Sequence, residues 1–418
     1  MPARTRRRFL GGALALLVAG RAAAKDAPAT SPFAADFEAL WRAIDADYAY
    51  LERREDWRAA GSRWRPRAAQ ARTREELLAV LEDAVAELND EHVTLDAHRP
   101  GSPRPVPTAT DLWAEWSGRE AFITAVRAGS VADVAGAVPG MRVLAIQGVA
   151  TEQAVRGLLR RSRQAEPRAR DWALRRLLAG PWSGTLVVEA EAAGRKRRLE
   201  IERRDLPPAG TPPLIARRVG EDRALAYVRV KNNLGDPGLV QHFDAALQQL
   251  RSTRGLILDL RETQSGGSRA VARDLLARFV NAETPWLLRV PRQAGTAGAA
   301  PAERVAPRGP FTYAGRTVAL VDRWTAAEGE SLAVGLEAAA GTTLVGTPMA
   351  GLRGESRELR LPASGIVLRF PAARVLHANG TPREAVRPAV AVDIVNPSGG
   401  PGDPILYQAL KLLEARVS

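Results

Sequence analysis

Two short segments carry groups suited to chemistry on a carbonyl carbon. His92 ends the run Asn89-Asp90-Glu91-His92, and a neutral imidazole is the side chain best suited to accept a proton near pH 7. Gly266 and Gly267 follow an apolar segment, where backbone N–H groups unshielded by side chains can stabilise an oxyanion. Each has an ordinary alternative, because a histidine can cap a helix end and most Gly-Gly pairs are only turns. Their roles therefore depend on the elements that position them.

A small helical domain is predicted before His92. Apolar residues recur with helical spacing from Phe37 to Tyr48, and a second stripe runs from Leu77 to Leu88 after Thr73. The helix then breaks at Asn89 and the chain becomes extended. Such a boundary is a natural place for a functional side chain.

The block from about 108 to 205 is rich in predicted strands. A strand at 121–126, a short helix begun after Gly129 and Ser130, a turn at Gly140 and a strand at 141–146 follow one another. This order resembles a PDZ-like domain, although Met141 stands where that family usually has Asp. PDZ-like domains bind extended peptides by adding a strand to a sheet edge, so the resemblance implies a polypeptide partner. A packing module with an empty groove is the alternative.

From about residue 221, strands and helices alternate. Strands are predicted at 225–230, 255–260, 318–321 and 343–346, with helices at about 239–250, 270–279 and 326–340. This rhythm predicts an α/β fold with parallel strands. Ligands of such folds usually bind at the loops that follow strand ends.

An ordered series of motifs resembles the S41 peptidases, the tail-specific or C-terminal processing family, and most closely its tricorn-like branch. The motifs are Tyr227-Val-Arg-Val, Leu258-Asp-Leu-Arg with Gly266-Gly267, Trp324-Thr325 with Gly329-Glu330, Val345 to Gly351, and Pro382-Arg383-Glu384. The resemblance implies a ClpP/crotonase-like α/β catalytic core at 208–418, a helical domain at 25–99 and a PDZ-like domain at 100–207. It also implies that His92 is the general base, that Glu384 holds its tautomer, and that Gly266, Gly267 and Glu328 form the oxyanion and binding region. Without the resemblance, Glu384 would be interpreted as a surface glutamate in a turn.

The family's nucleophilic serine is missing from this sequence. The serine motif aligns with Thr325 to Glu330, which places Ala327 at its position, and a methyl group cannot attack a carbonyl. The lysine used by the processing branch would fall at Leu352 or Arg353, and an arginine stays protonated. Ser331, one helical turn deeper, and Thr325, two residues earlier, are weak substitutes because small displacements of a reacting group cost large factors in rate.

Two functions therefore stay open. One is a peptidase that acts on polypeptides or protein C-termini with an unusual nucleophile. The other is a pseudoprotease that binds peptides without cutting them. A third class, a basic protein binding nucleic acid, is disfavoured although Lys and Arg total 60 against 47 Asp and Glu, because no aromatic residues interleave with the positive charge.

The N-terminus has the pattern of an export signal. Arg6-Arg7-Arg8-Phe9-Leu10 precedes a short apolar run and Ala22-Ala23-Ala24, which predicts a twin-arginine signal peptide at 1–24 cleaved near Ala24. An uncleaved membrane anchor is the alternative, but the apolar run is too short to span a bilayer. We expect a periplasmic or secreted protein without a membrane span after cleavage.

The chain has 0 cysteines and no paired histidines, so we expect no metal and no cofactor. The oligomeric state cannot be inferred from the sequence.

Overall fold

The computed structural model describes residues 31–202, 212–292, 301–396 and 402–415. The predicted signal peptide lies outside these ranges, so its cleavage and the route of export stay predictions. No helix within the described ranges has the length and apolar character needed to cross a membrane.

The predicted helical domain is present and shares its core with a later part of the chain. Its helices are α1 (Ala34–Asp47), α2 (Arg54–Gln70) and α3 (Arg74–Ala86), followed by the short strand β1 (Thr94–Leu95). Thr73 caps α3 by accepting a hydrogen bond from the N–H of Glu76 at 3.1 Å. The apolar faces of these helices pack against Leu368 and Phe370, which are fully buried. The helical domain is therefore fixed to the domain that follows the strand-rich block.

The strand-rich block forms a sheet with its own core. Its elements are β2 (Leu112–Ser117), β3 (Glu120–Val126), α4 (Val131–Val134), β4 (Arg142–Ile146), β5 (Val149–Ala150), α5 (Thr151–Leu158), α6 (Pro167–Ala179), β6 (Thr185–Ala192) and β7 (Arg195–Glu202). The sheet order is β2-β3-β4-β6-β7, with antiparallel neighbours. Ser130 caps α4, while Gly129 and Gly140 adopt φ of +71° and +90°. These residues form the turns that the sequence predicts, and the arrangement is consistent with a PDZ-like domain.

The last part of the chain contains a mostly parallel sheet covered by helices. Its elements are β8 (Leu214–Val219), β9 (Leu225–Val230), α7 (Gly238–Leu250), β10 (Gly255–Asp259), α8 (Arg269–Leu276), β11 (Thr284–Pro291), β12 (Ala302–Val305), β13 (Arg316–Val321), α9 (Glu328–Ala340), β14 (Thr343–Gly346), β15 (Glu355–Arg360), β16 (Val367–His377), β17 (Val390–Ala391) and α10 (Pro404–Glu414). The sheet order is β17-β14-β13-β10-β9-β8, and only β8 is antiparallel to its neighbour. The predicted α/β fold is confirmed, and the loop after β10 and the turn before α9 lie at the carboxyl ends of neighbouring strands.

A second sheet joins the helical domain to the α/β core. Its order is β1-β16-β11-β12, and β15 pairs with the other side of β16. The register places Thr94 opposite Arg369 and Ser356 opposite Pro371. Residue 92, two positions before Thr94, is therefore brought level with Ser356. This sheet was not predicted from the sequence, and it is the element that positions His92.

Candidate active site

A cavity of about 400 Å³ lies where the two sheets, α9 and the linker before the strand-rich block meet. It is lined by five residues that the sequence indicates and, among others that it does not indicate, by one that contacts His92. These residues are His92, Gly266, Gly267, Ala327, Glu328 and Ser356. Segments separated by more than two hundred residues therefore form one surface.

The His92 ring is held by two hydrogen bonds. Its Nδ1 lies 2.6 Å from the backbone carbonyl of Arg353, and its Nε2 lies 2.9 Å from the hydroxyl of Ser356. A carbonyl only accepts hydrogen bonds, so Nδ1 carries the proton and Nε2 presents its lone pair. Burial lowers the pKa of His92 below its ordinary value of 6.5, although the Arg353 carbonyl opposes this change. The ring makes no bond to the end of α3, which excludes the helix-capping alternative.

Glu384 is not the partner of His92. The side chain lies in the short helix Arg383–Ala385 and does not line the cavity. The Arg353 carbonyl occupies the Nδ1 side of the imidazole, so this nitrogen bonds to a backbone oxygen and not to the Glu384 carboxylate. The carboxylate lies instead beside Tyr50, whose pKa is raised first by burial and then by this negative charge. The predicted contact between His92 and Glu384 is therefore wrong for the described structure, because a backbone carbonyl takes that role.

Ala327 has the backbone of a nucleophile without the hydroxyl. It precedes α9 with φ +51° and ψ −112°, a conformation that is costly for any residue other than glycine. A strained turn from strand to helix is the device by which serine hydrolases expose their nucleophile. Here the turn presents a methyl group to the cavity.

Glu330 and Arg383 hold this strained turn in place. The Glu330 carboxylate accepts hydrogen bonds from the N–H of Ala327 at 3.0 Å, Gly351 at 2.8 Å and Leu352 at 3.2 Å. Arg383, 1% exposed, donates to the carbonyls of Leu352 and Gly354. Burial raises the pKa of Glu330 to about 7, although Arg383 and the backbone donors oppose this change. The position of Glu330, three residues after the first residue of the turn, was the available sequence signal for this role.

Neither alternative hydroxyl on this turn can serve as a nucleophile. Ser331 is 2% exposed, donates to the Ala327 carbonyl at 3.3 Å and accepts from Arg383 at 2.7 Å. Thr325 is fully buried and donates to the Leu260 carbonyl at 3.1 Å. Both side chains therefore stabilise the turn, and the suggestion that Ser331 replaces the missing serine is wrong.

The Gly266-Gly267 loop lines the cavity and has free backbone amides. Both glycines have positive φ, +69° and +100°, and among the described residues neither N–H has a hydrogen-bond acceptor. The N–H of Glu328 instead donates to the Gly266 carbonyl at 3.3 Å, so this amide is already used. Burial raises the pKa of the Glu328 side chain. The predicted oxyanion region is thus available at the two glycines, whereas the Glu328 amide supports the loop.

We expect Gly267→Ala to distort this loop. A Cβ at residue 267 would lie 2.4 Å from the Asn233 carbonyl oxygen and 2.8 Å from the Glu328 Cβ. Gly148→Ala is the matched control, because Gly148 also has positive φ but nothing lies within 4 Å. The control costs about 1–2 kcal/mol for its backbone conformation, and Gly267→Ala costs about 1–3 kcal/mol more for the clash. Urea denaturation of both variants measures the difference, and equal destabilisation would contradict the close approach at Gly267.

Comparison with known families agrees with this fold. Residues 224–395 match the model of peptidase family S41, and residues 31–86 match the tricorn protease C1 domain. This chain therefore contains a peptidase family S41 domain. The first range contains the parallel strands, the Gly266-Gly267 loop and the turn at Ala327. The second range contains α1 to α3. No curated protein sequence matches the chain significantly.

Solved structures of proteases have the same fold over nearly the whole chain. A photosystem II D1 C-terminal processing protease is 18% identical with a TM-score of 0.57, covering 92% of this chain and 98% of that one. Mature CPAF is 14% identical with a TM-score of 0.60, covering 91% and 95%. A putative peptidase from Parabacteroides merdae is 17% identical with a TM-score of 0.52, covering 91% and 96%. At these identities the likeness shows the fold alone.

Ser356 is a site residue that the sequence did not indicate. It is exposed on β15 and its hydroxyl contacts the His92 ring. No motif surrounds it, since Glu355-Ser356-Arg357 is an ordinary run for an exposed strand. Only the pairing of β15 and β1 with β16 brings the serine to the histidine.

Proposed function

We propose that this chain is an exported protein that binds segments or ends of unfolded polypeptides in the cavity at Ala327, and that the family's hydrolysis by residue 327 does not occur. The observation that carries the proposal is the turn at Ala327, which keeps the strained backbone of a nucleophile but ends in a methyl group. Backbone strain of about 1–3 kcal/mol persists only where the surroundings enforce it.

The cavity is suited to an extended polypeptide. It is lined by the buried apolar residues Ala327 and Leu352, and the Gly266-Gly267 loop lines the same cavity. An extended chain needs apolar space for side chains and backbone donors for its carbonyls, and this surface offers both. The PDZ-like block would contribute a second peptide-binding edge near Gly129, Ser130 and Gly140.

The location outside the cytoplasm rests on the twin-arginine pattern at 1–24. The absence of cysteine is compatible with an oxidising compartment. An exported protein that holds unfolded chains without cutting them would act as a capture protein in the periplasm or outside the cell.

Binding can be measured directly with fluorescein-labelled casein and purified protein from residue 25 onwards. We expect saturable fluorescence anisotropy, with the casein mass unchanged after the titration. Ser356→Trp should weaken binding at least about tenfold by filling the cavity, whereas Ser62→Trp, an exposed position on α2, should not. Equal binding by wild type and Ser356→Trp would place the polypeptide elsewhere, and loss of intact casein would contradict binding without hydrolysis.

A further inference from the structure

The contact between Ser356 and His92 has the geometry of a nucleophile with its general base. The hydroxyl oxygen lies 2.9 Å from Nε2, within the range for an O–H···N hydrogen bond. Because the Arg353 carbonyl fixes the proton on Nδ1, Ser356 is the donor and Nε2 the acceptor. This is the protonation state that a serine needs before it attacks a carbonyl.

We propose that Ser356, and not residue 327, is a nucleophile that accepts acyl groups from carboxylic esters. His92 is its general base. The proposal goes beyond polypeptide binding and relies on it only for the use of the same cavity. It assigns the chemistry to β15, away from the turn at Ala327 where S41 members carry their serine.

The surroundings of Ser356 favour this role. Its neighbour Glu355 forms ion pairs with Arg269 and Arg289, which fix the start of β15. The Ser356 side chain is exposed to the cavity that also contains the Gly266 and Gly267 amides. The hydroxyls of Ser331 and Thr325, in contrast, are buried and committed to structural bonds. Compared with these two hydroxyls, that of Ser356 combines access to the cavity with a hydrogen bond to His92.

The reaction proceeds in two balanced steps. The Ser356 oxygen forms a bond to the acyl carbon while its proton moves to His92 Nε2, and the ester C–O bond then breaks as the leaving alcohol takes that proton. Water next attacks the Ser356 acyl ester, gives one proton to Nε2, and releases the carboxylic acid while the serine recovers its proton. The charge that develops on the acyl oxygen is stabilised by the free amides of the glycine loop.

Esters rather than amides are the expected substrates. A carboxylate beside the catalytic histidine is worth about 10⁴-fold in a serine protease, and His92 has a backbone carbonyl in that position. The imidazolium formed here is therefore less stabilised, and an amine is a poorer leaving group than an activated alcohol. Polypeptides should consequently be bound but cut far more slowly than activated esters.

The pH dependence follows from the charges around the imidazole. Asp90 and Glu91 from its own segment favour the protonated ring, whereas Arg383 disfavours it and the Arg353 carbonyl favours it. Burial has the largest influence and lowers the pKa below 6.5. The nucleophile is active when the ring is neutral, so the rate should rise with pH and reach its plateau with a midpoint below 6.5.

The test uses a fluorophosphonate probe and p-nitrophenyl acetate with the protein from residue 25 onwards. We expect one covalent adduct, located on Ser356 by peptide mass mapping, and at least about a 100-fold loss of ester hydrolysis in Ser356→Ala and in His92→Ala. Ser62→Ala, an exposed serine on α2, should be labelled and active like the wild type.

An adduct on another serine, no adduct at all, or full activity of Ser356→Ala would overturn the assignment. A rate midpoint above 6.5 would overturn the role of His92. Casein binding separates the two proposals. If Ser356→Ala still binds casein but is no longer labelled, both proposals are supported. If the wild-type protein is labelled but binds no casein, the nucleophile is supported and the binding function is contradicted.

Discussion

Ala327→Ser should turn the protein into a peptidase, with casein hydrolysis at least about 100-fold above the wild-type rate. The strained turn already presents the residue 327 side chain to the cavity, and the N-terminus of α9 favours negative charge that develops there. His92 lines the same cavity with its Nε2 lone pair available once Ser356 releases it. Release of labelled fragments, followed by gel electrophoresis and mass spectrometry, measures the change.

The double variant Ala327→Ser with His92→Ala provides the control, and it should return to the wild-type background. Ala326→Ser is the matched control for a new hydroxyl, because Ala326 is the preceding buried residue and does not line the cavity. A folded Ala327→Ser protein that binds casein but does not cut it would show that the turn and the histidine are not arranged for catalysis.

Arg383→Met should cost about 3–5 kcal/mol of stability, because it removes one partner from a buried charged network. The guanidinium is 1% exposed and donates to the Ser331 hydroxyl at 2.7 Å, the Gly354 carbonyl at 2.7 Å and the Leu352 carbonyl at 3.0 Å. Methionine fills similar volume but leaves these three acceptors without the Arg383 donor and removes the buried cation beside the Glu330 carboxylate. The midpoint of urea denaturation, followed by tryptophan fluorescence, measures the loss.

Arg387→Met is the matched control on the same segment. Arg387 is exposed, and within the described part of the chain its hydrogen bonds go to the nearby carbonyls of Glu384 and Val386, so its loss should change stability by less than about 0.5 kcal/mol. Equal effects of the two substitutions would show that Arg383 does not hold the turn at Ala327.

The elements of the core could be predicted because their sequence patterns are local. The fully buried strand β10 is a continuous apolar run, and α7 repeats apolar residues with helical spacing. The cap at Thr73 follows from the residue type and its position before an acidic first turn. Such signals depend on neighbours within a few residues, so they survive without knowledge of the fold.

The environment of His92 could not be predicted because it depends on pairing between distant strands. β1 has only two residues, and its partner β16 lies more than 270 positions later. The ring's two partners, the Arg353 carbonyl and the Ser356 hydroxyl, lie on the loop before β15 and on β15 itself. A backbone carbonyl is the same in every residue, so no sequence pattern could indicate it as the partner in place of Glu384.

Hydrogen–deuterium exchange, measured by mass spectrometry with and without casein, tests the binding of polypeptide at the turn most directly. We expect slower exchange in the segments 263–268 and 351–357 and at the start of α9, with the mass of casein unchanged. Protection confined to other surfaces, or fragments of casein accumulating with the wild-type protein, would contradict a peptidase scaffold that holds polypeptide without cutting it.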